Sequence, residues 1–218
     1  MEFSVVENLI IWVLPVLFAI CLHEIAHGWV AYQLGDPTAK MLGRLSLNPL
    51  KHVDPLGTVL LPGLLLITGS PFLFGWAKPV PITWQNLKKP RRDMALVALA
   101  GPMANLLMAL CWGAIASLSL HLGDNSANSA PLIFYMAIAG IQFNIVLMIF
   151  NLLPLPPLDG SRILSSLGTR GLRIFLSRLE PYGFIILLFL ILTGAFRWLL
   201  LPLIKGAFNL VVTVFGIS

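Results

Sequence analysis

The sequence predicts an all-α polytopic membrane protein, and three observations lead there. Of 218 residues, 58% are hydrophobic and only 11% are charged, against roughly 25% charged in an ordinary soluble domain. No Asp, Glu, Lys or Arg lies between Asp93 and Asp124, or between Asp124 and Asp159, and each interval exceeds the ~20 apolar residues that span a bilayer. Most of the remaining charge is gathered into short basic stretches between apolar ones, as expected of loops held on the cytoplasmic side. The net charge of +5 is therefore a topology signal, and no nucleic-acid partner follows from it.

The N-terminal residues lack the basic start of a cleavable signal peptide. The first apolar segment is thus expected to stay in place as a spanning helix over about 8–34, stopped by Gly35-Asp36-Pro37. A basic loop with Lys40, Arg44 and Lys51 follows, then an apolar stretch, 55–77, broken by Pro62, Gly63, Gly69, Pro71 and Gly75. A second basic stretch runs from Lys78 to Arg92. Helices are expected over about 93–120 and 131–153, with no Lys or Arg in the turn between them. After Asp159 comes a basic segment with Arg162, Arg170, Arg173 and Arg178, and two more apolar stretches fill about 181–216. Cys21 and Cys111 fall in apolar segments, where thiols act as small hydrophobes. The whole chain, 1–218, reads as one integral-membrane domain.

The broken stretch 55–77 decides the topology. Crossing the bilayer would give six spans and put the basic loops on its two sides in opposite compartments. A re-entrant path leaves about five spans and keeps both loops cytoplasmic, which the positive-inside rule favours. Irregular backbone at membrane depth is tolerated only against protein or a wet cavity, so the segment is a candidate wall of an active site.

The chemistry is concentrated in the first helix. His23-Glu24-Ile25-Ala26-His27 is H-E-x-x-H, which on a helix sets two imidazoles at i and i+4 on one face. Both can reach one Zn²⁺, with Glu24 beside them as general base. Ionisable residues inside a span are expensive and point to function. A catalytic zinc usually takes three protein ligands and keeps one open position. Among the later acidic and histidine residues Asp159 stands out: Pro154, Pro156 and Pro157 end the preceding helix and Gly160 permits a turn at the carboxylate. The re-entrant topology also brings Asp159 to the same, cytoplasmic side as His23 and His27.

These residues resemble the site-2 protease family of intramembrane metalloproteases, in its short prokaryotic form without a PDZ domain. The resemblance rests on His23-Glu24-Ile25-Ala26-His27-Gly28, on Gly101-Pro102-Met103-Ala104-Asn105, and on Asn151 through Pro154 to Leu158-Asp159-Gly160. Residues 43–50 and 74–81 also look like this subgroup. The resemblance implies one catalytic Zn²⁺ on His23, His27 and Asp159, with Glu24 as base. It brings Asn151 and Asn105 close to the site, where either would donate to the developing oxyanion or simply bridge helices. Within about 40–82, a re-entrant segment with a small membrane-associated β element is expected. His52 and Asp54, an H-x-D pair in the basic loop, suit a turn or interface role better than a metal, and the resemblance adds a structural or gating part.

The expected function is hydrolysis of peptide bonds in transmembrane substrates, presented in extended form within or near the bilayer. The setting is a prokaryotic cytoplasmic membrane, with the active site towards the cytoplasmic half. A membrane metal transporter and a non-catalytic membrane scaffold are the alternatives. A transporter should string ligands across the bilayer, and a scaffold has no use for Glu24 beside two ligands.

Overall fold

The computed structural model describes residues 3–60, 64, 67, 77–122 and 132–217. Helix α1, Val5–Gln33, starts at Ser4, whose side chain accepts the Glu7 N–H while the Glu7 carboxylate accepts the Ser4 N–H. This reciprocal cap satisfies two otherwise orphaned donors. The helix ends where Gly35 adopts a φ of 113°, a left-handed conformation open to glycine at little cost. A one-turn helix, α2 (Thr38–Met41), follows. Helix α3, Pro90–Leu122, begins with a proline, whose missing N–H has no partner to lose there. The Asp93 carboxylate takes the Lys89 N–H at 2.7 Å.

Helix α4 is Leu132–Asn151 and α5 is Asp159–Leu167. Then come α6 (Arg170–Leu179), α7 (Gly183–Leu192) and α8 (Ala195–Val214). Val6–Gln33, Pro90–Leu122, Leu132–Asn151 and the run Arg170–Leu192 are each long and apolar enough to cross a membrane, and Trp198–Val214 is a shorter apolar helix. The protein is a polytopic, all-helical membrane protein.

Helices α1, α3 and α4 pack on one another, α5 lies against α3, and α8 covers α4. Ala109 and Ala116 of α3, Ala137, Ile141 and Ile145 of α4, and Val211 of α8 form a buried core. Small residues let these backbones approach closely, as is usual where lipid offers no hydrophobic drive to association.

The basic segment after Asp159 folds as α5 and α6. In α6, Leu176 is buried while Arg170 and Arg178 stay exposed; Leu172, Leu176 and Leu179 make the apolar stripe of an amphipathic helix. The small β element expected within about 40–82 does not form in the described residues, none of which is in a strand. Pro79 and Pro81 lack the N–H a ladder needs. The donors that segment 77–83 does have go elsewhere: Lys78 N–H to the His52 carbonyl, Val80 N–H to Glu24 and Thr83 N–H to Asp36. The re-entrant or spanning character of 55–77 lies largely outside the described residues, as does the turn at 123–131.

Asp36 pins this segment to the end of α1. Its buried carboxylate accepts from the Thr38 N–H and hydroxyl, the Thr83 N–H and the Asn86 amide. Burial pushes this carboxyl up, but the four hydrogen bonds outweigh it and hold the group below its ordinary range.

Candidate metal centre

His23 and His27 lie one turn apart on the face of α1 turned to α3, and both side chains are buried. Nδ1 of His27 is 2.7 Å from the Val97 carbonyl oxygen. A carbonyl only accepts, so the ring donates from Nδ1 and, when neutral, carries a lone pair at Nε2. Nδ1 of His23 is 2.6 Å from Oδ1 of Asn105. The amide nitrogen of Asn105 is turned the other way, donating to the Ala19 carbonyl at 3.3 Å and to Oδ1 of Asn144 at 2.9 Å. His23 therefore also leaves Nε2 unprotonated.

The two Nε2 atoms stand 3.1 Å apart, and Oδ2 of Asp159 is 3.3 Å from each. That oxygen is buried and receives no hydrogen bond. With both rings neutral, three electron pairs converge in a desolvated place, an arrangement that calls for a cation. Ligand atoms of a tetrahedral zinc with bonds of ~2.0–2.1 Å lie about 3.3–3.4 Å apart, close to the observed triangle. Two imidazoles and one carboxylate also match a catalytic zinc, which keeps a fourth position open, rather than a closed structural one. Among the described residues these three form the metal-capable group.

Two glycines make the convergence possible. A Cβ on Gly101 would lie 2.6 Å from Cε1 of both histidines and closer still to Nε2 of His27. Only a glycine lets α3 come this near the rings. A Cβ on Gly160 would strike the Leu152 and Leu153 carbonyl oxygens, so the turn that delivers Asp159 depends on its absence. Glu24, half-buried on the same helix, accepts the Val80 N–H at 2.8 Å. Arg44 steadies that segment by donating to the Lys78 and Pro79 carbonyls.

A family model described as "Peptidase family M50" matches residues 113–194, which take in Asn151 and Asp159 but not α1. Relatives match more of the chain. "Putative zinc metalloprotease YwhC" of Bacillus subtilis (strain 168) is 41% identical over 206 residues, 94% of this chain and 90% of the relative. The chain belongs to peptidase family M50. "Putative zinc metalloprotease Rip2" of Mycolicibacterium smegmatis is 33% identical over 184 residues, 84% of this chain and 67% of the relative. No solved structure matches the chain.

In this M50 peptidase the structure brings together His23, His27 and Asp159, and it places Asn105 against His23. Both hydrogens of the Asn105 amide are committed, to Ala19 and Asn144, and its oxygen accepts from His23. It has no donor left for an oxyanion and instead orients the His23 ring. Asn151 ends α4, half-buried, and gives one amide hydrogen to the Leu147 carbonyl of its own helix. His52 is buried away from the trio and donates from Nε2 to the Ser46 carbonyl. Asp54 accepts from the Leu56 and Gly57 N–H groups, a turn role. Sequence reasoning missed Asn144 and the Val97 carbonyl. Asn144 carried a usable signal, a polar amide in the midst of an apolar span; a backbone carbonyl carries none.

Proposed function

We propose that this M50 peptidase is an intramembrane zinc metalloprotease that hydrolyses peptide bonds of transmembrane proteins within or near the bilayer. The reading is carried by the convergence of two imidazole lone pairs and an unpartnered carboxylate oxygen beside Glu24. The names of the two relatives, each a "Putative zinc metalloprotease", support the choice of metal. His23, His27 and Asp159 would hold a single Zn²⁺. When bound, it would polarise the scissile carbonyl and lower the pKa of a water molecule towards ~7.

The rest is done by the chain. Glu24 takes the proton of the attacking water and returns it to the leaving amine; the Val80 N–H fixes how its carboxylate is turned. Asn105 and the Val97 carbonyl hold the two imidazoles in the ligating tautomer. Asn151, with one amide hydrogen still to give, is the candidate donor to the developing oxyanion. The substrate is an extended segment, because a helix hides its carbonyls in its own hydrogen bonds. Its natural source is a transmembrane protein in the same bilayer. The basic stretches and the arginines of α6 put these ends of the helices on the cytoplasmic side, so the site faces the cytoplasmic half of a prokaryotic cell membrane.

The test is cleavage of a single-span reporter protein by purified enzyme in proteoliposomes, wild type against Glu24→Gln. The variant should lose about 10²–10⁴ in rate while keeping its zinc. Cleavage by Glu24→Gln at the wild-type rate would overturn the assignment.

A further inference from the structure

Asn144 sits in the middle of α4, in an apolar stretch, and is fully buried. An amide in that setting is costly unless it is bonded, and its bonds run in one direction. Nδ2 donates to the Gly140 carbonyl one turn back, at 2.9 Å. A carbonyl cannot donate in return, so the amide has one orientation, with Oδ1 turned outward. That oxygen accepts from Nδ2 of Asn105 on α3 at 2.9 Å. Asn105 Nδ2 spends its second hydrogen on the Ala19 carbonyl of α1, which turns Oδ1 of Asn105 to Nδ1 of His23. Two acceptors thus hold the Asn105 amide, Oδ1 of Asn144 at 2.9 Å and the more distant Ala19 carbonyl at 3.3 Å.

The direction matters to the ring at the end. Were the Asn105 amide reversed, an NH₂ group would face Nδ1 of His23, which would then have to accept. The imidazole proton would move to Nε2, and a protonated Nε2 cannot ligate a metal.

We propose that Asn144 is a positioning residue: acting through Asn105, it selects the His23 tautomer that leaves Nε2 free for zinc. This rests on the zinc site proposed above. The ordinary role for such an amide is interhelical adhesion, and the two roles part company in what they require. Adhesion needs any bond between α3 and α4. Tautomer selection needs an acceptor at position 144, aimed at Asn105.

Three forms of the full chain test the relay, wild type, Asn144→Leu and Asn144→Asp, with thermal unfolding of each metal-free form as the separate readout of adhesion: zinc affinity that merely follows the unfolding temperature would overturn the relay. Leucine has similar volume and no acceptor. A buried aspartic acid stays neutral, and its O–H can donate to Gly140 while its carbonyl accepts from Asn105, reproducing the asparagine pattern. Zinc affinity is read by competition with a chelator in detergent, and ligand geometry by the visible d–d bands of the Co²⁺-loaded protein. Orienting partners of ligating histidines are worth 10–100-fold in affinity. The proposal expects Asn144→Leu to weaken zinc by about tenfold or more and to alter the Co²⁺ bands, with Asn144→Asp returning both towards wild type. Unchanged affinity and bands in Asn144→Leu would overturn it, and so would equal weakening in the leucine and aspartate variants. Should Asn144→Leu not fold, Asn144→Ala, which adds no bulk, supplies the same comparison. A wild type that binds neither metal overturns the zinc site itself, and is told apart from failure of the relay because all forms then behave alike.

Discussion

Replacing Gly101 by alanine adds one methyl group, and the structure lets its consequence be worked out. The new Cβ would lie 2.6 Å from Cε1 of His23 and of His27. Carbon atoms rest about 3.5–4.0 Å apart, so roughly 1 Å must be found. Neither ring can readily yield it: His27 is tied to Val97 at 2.7 Å and His23 to Asn105 at 2.6 Å. If the rings move, they do so by half the length of a ~2.0–2.1 Å zinc–nitrogen bond. If α3 moves instead, the packing against α1 and α4 is strained. Overpacking of this kind costs about 1–3 kcal/mol. Charged to metal binding, that is a roughly 5- to 150-fold weaker site. Alanine is the better helix former by about 1 kcal/mol, so loss of helix cannot be the cause, and circular dichroism should be unchanged. Zinc affinity of Gly101→Ala by chelator competition is the assay. Wild-type affinity in the variant would refute the claim that α3 packs directly on the ligands.

Other outcomes follow from the same geometry. Gly160→Ala should weaken zinc and destabilise the fold by about 1–3 kcal/mol, because a Cβ there meets the Leu152 and Leu153 carbonyls; thermal unfolding and zinc titration read both. Asp36→Asn should cost about 1–3 kcal/mol near neutral pH. The folded Asp36 carboxyl is held below its ordinary value. Its contribution is therefore full above the unfolded pKa of about 3.9 and is lost as pH falls through the lower folded value. The gap in stability between wild type and Asp36→Asn should hold from pH 7 to 5 and shrink below about 4; a gap that widens in acid would contradict the sign. Asn151→Ala should lower turnover by about 10²–10³ with zinc still bound, measured with the reporter used for Glu24→Gln; loss of zinc instead would make Asn151 structural.

The spans and the converging trio of His23, His27 and Asp159 were legible in the sequence for simple reasons. Uncharged runs of spanning length have few other uses, and H-E-x-x-H puts its side chains on one face whatever surrounds the helix. Asp159 was legible through the prolines before it and Gly160 after it. The direction of a hydrogen bond was not: that Asn105 would spend both amide hydrogens on Ala19 and Asn144 depends on how three helices meet. Gly101 showed itself only as a small residue, a sign of close packing in general, and what it approaches required the fold. Among the described residues no strand forms, and Pro79 and Pro81, which lack the N–H a ladder needs, argue against one in that stretch. The arginines after Asp159 marked that segment as basic, while the helical period of Leu172, Leu176 and Leu179 became plain only with the fold.

The central claim is that two histidines of α1 and the first residue of α5 hold one metal ion. Metal content of the detergent-purified chain, wild type beside Asp159→Ala and prepared without chelator, tests it most directly. About one zinc per chain in the wild type, and little or none in Asp159→Ala, is the expected result. A wild type free of zinc, or an Asp159→Ala variant that retains it in full, would contradict the account.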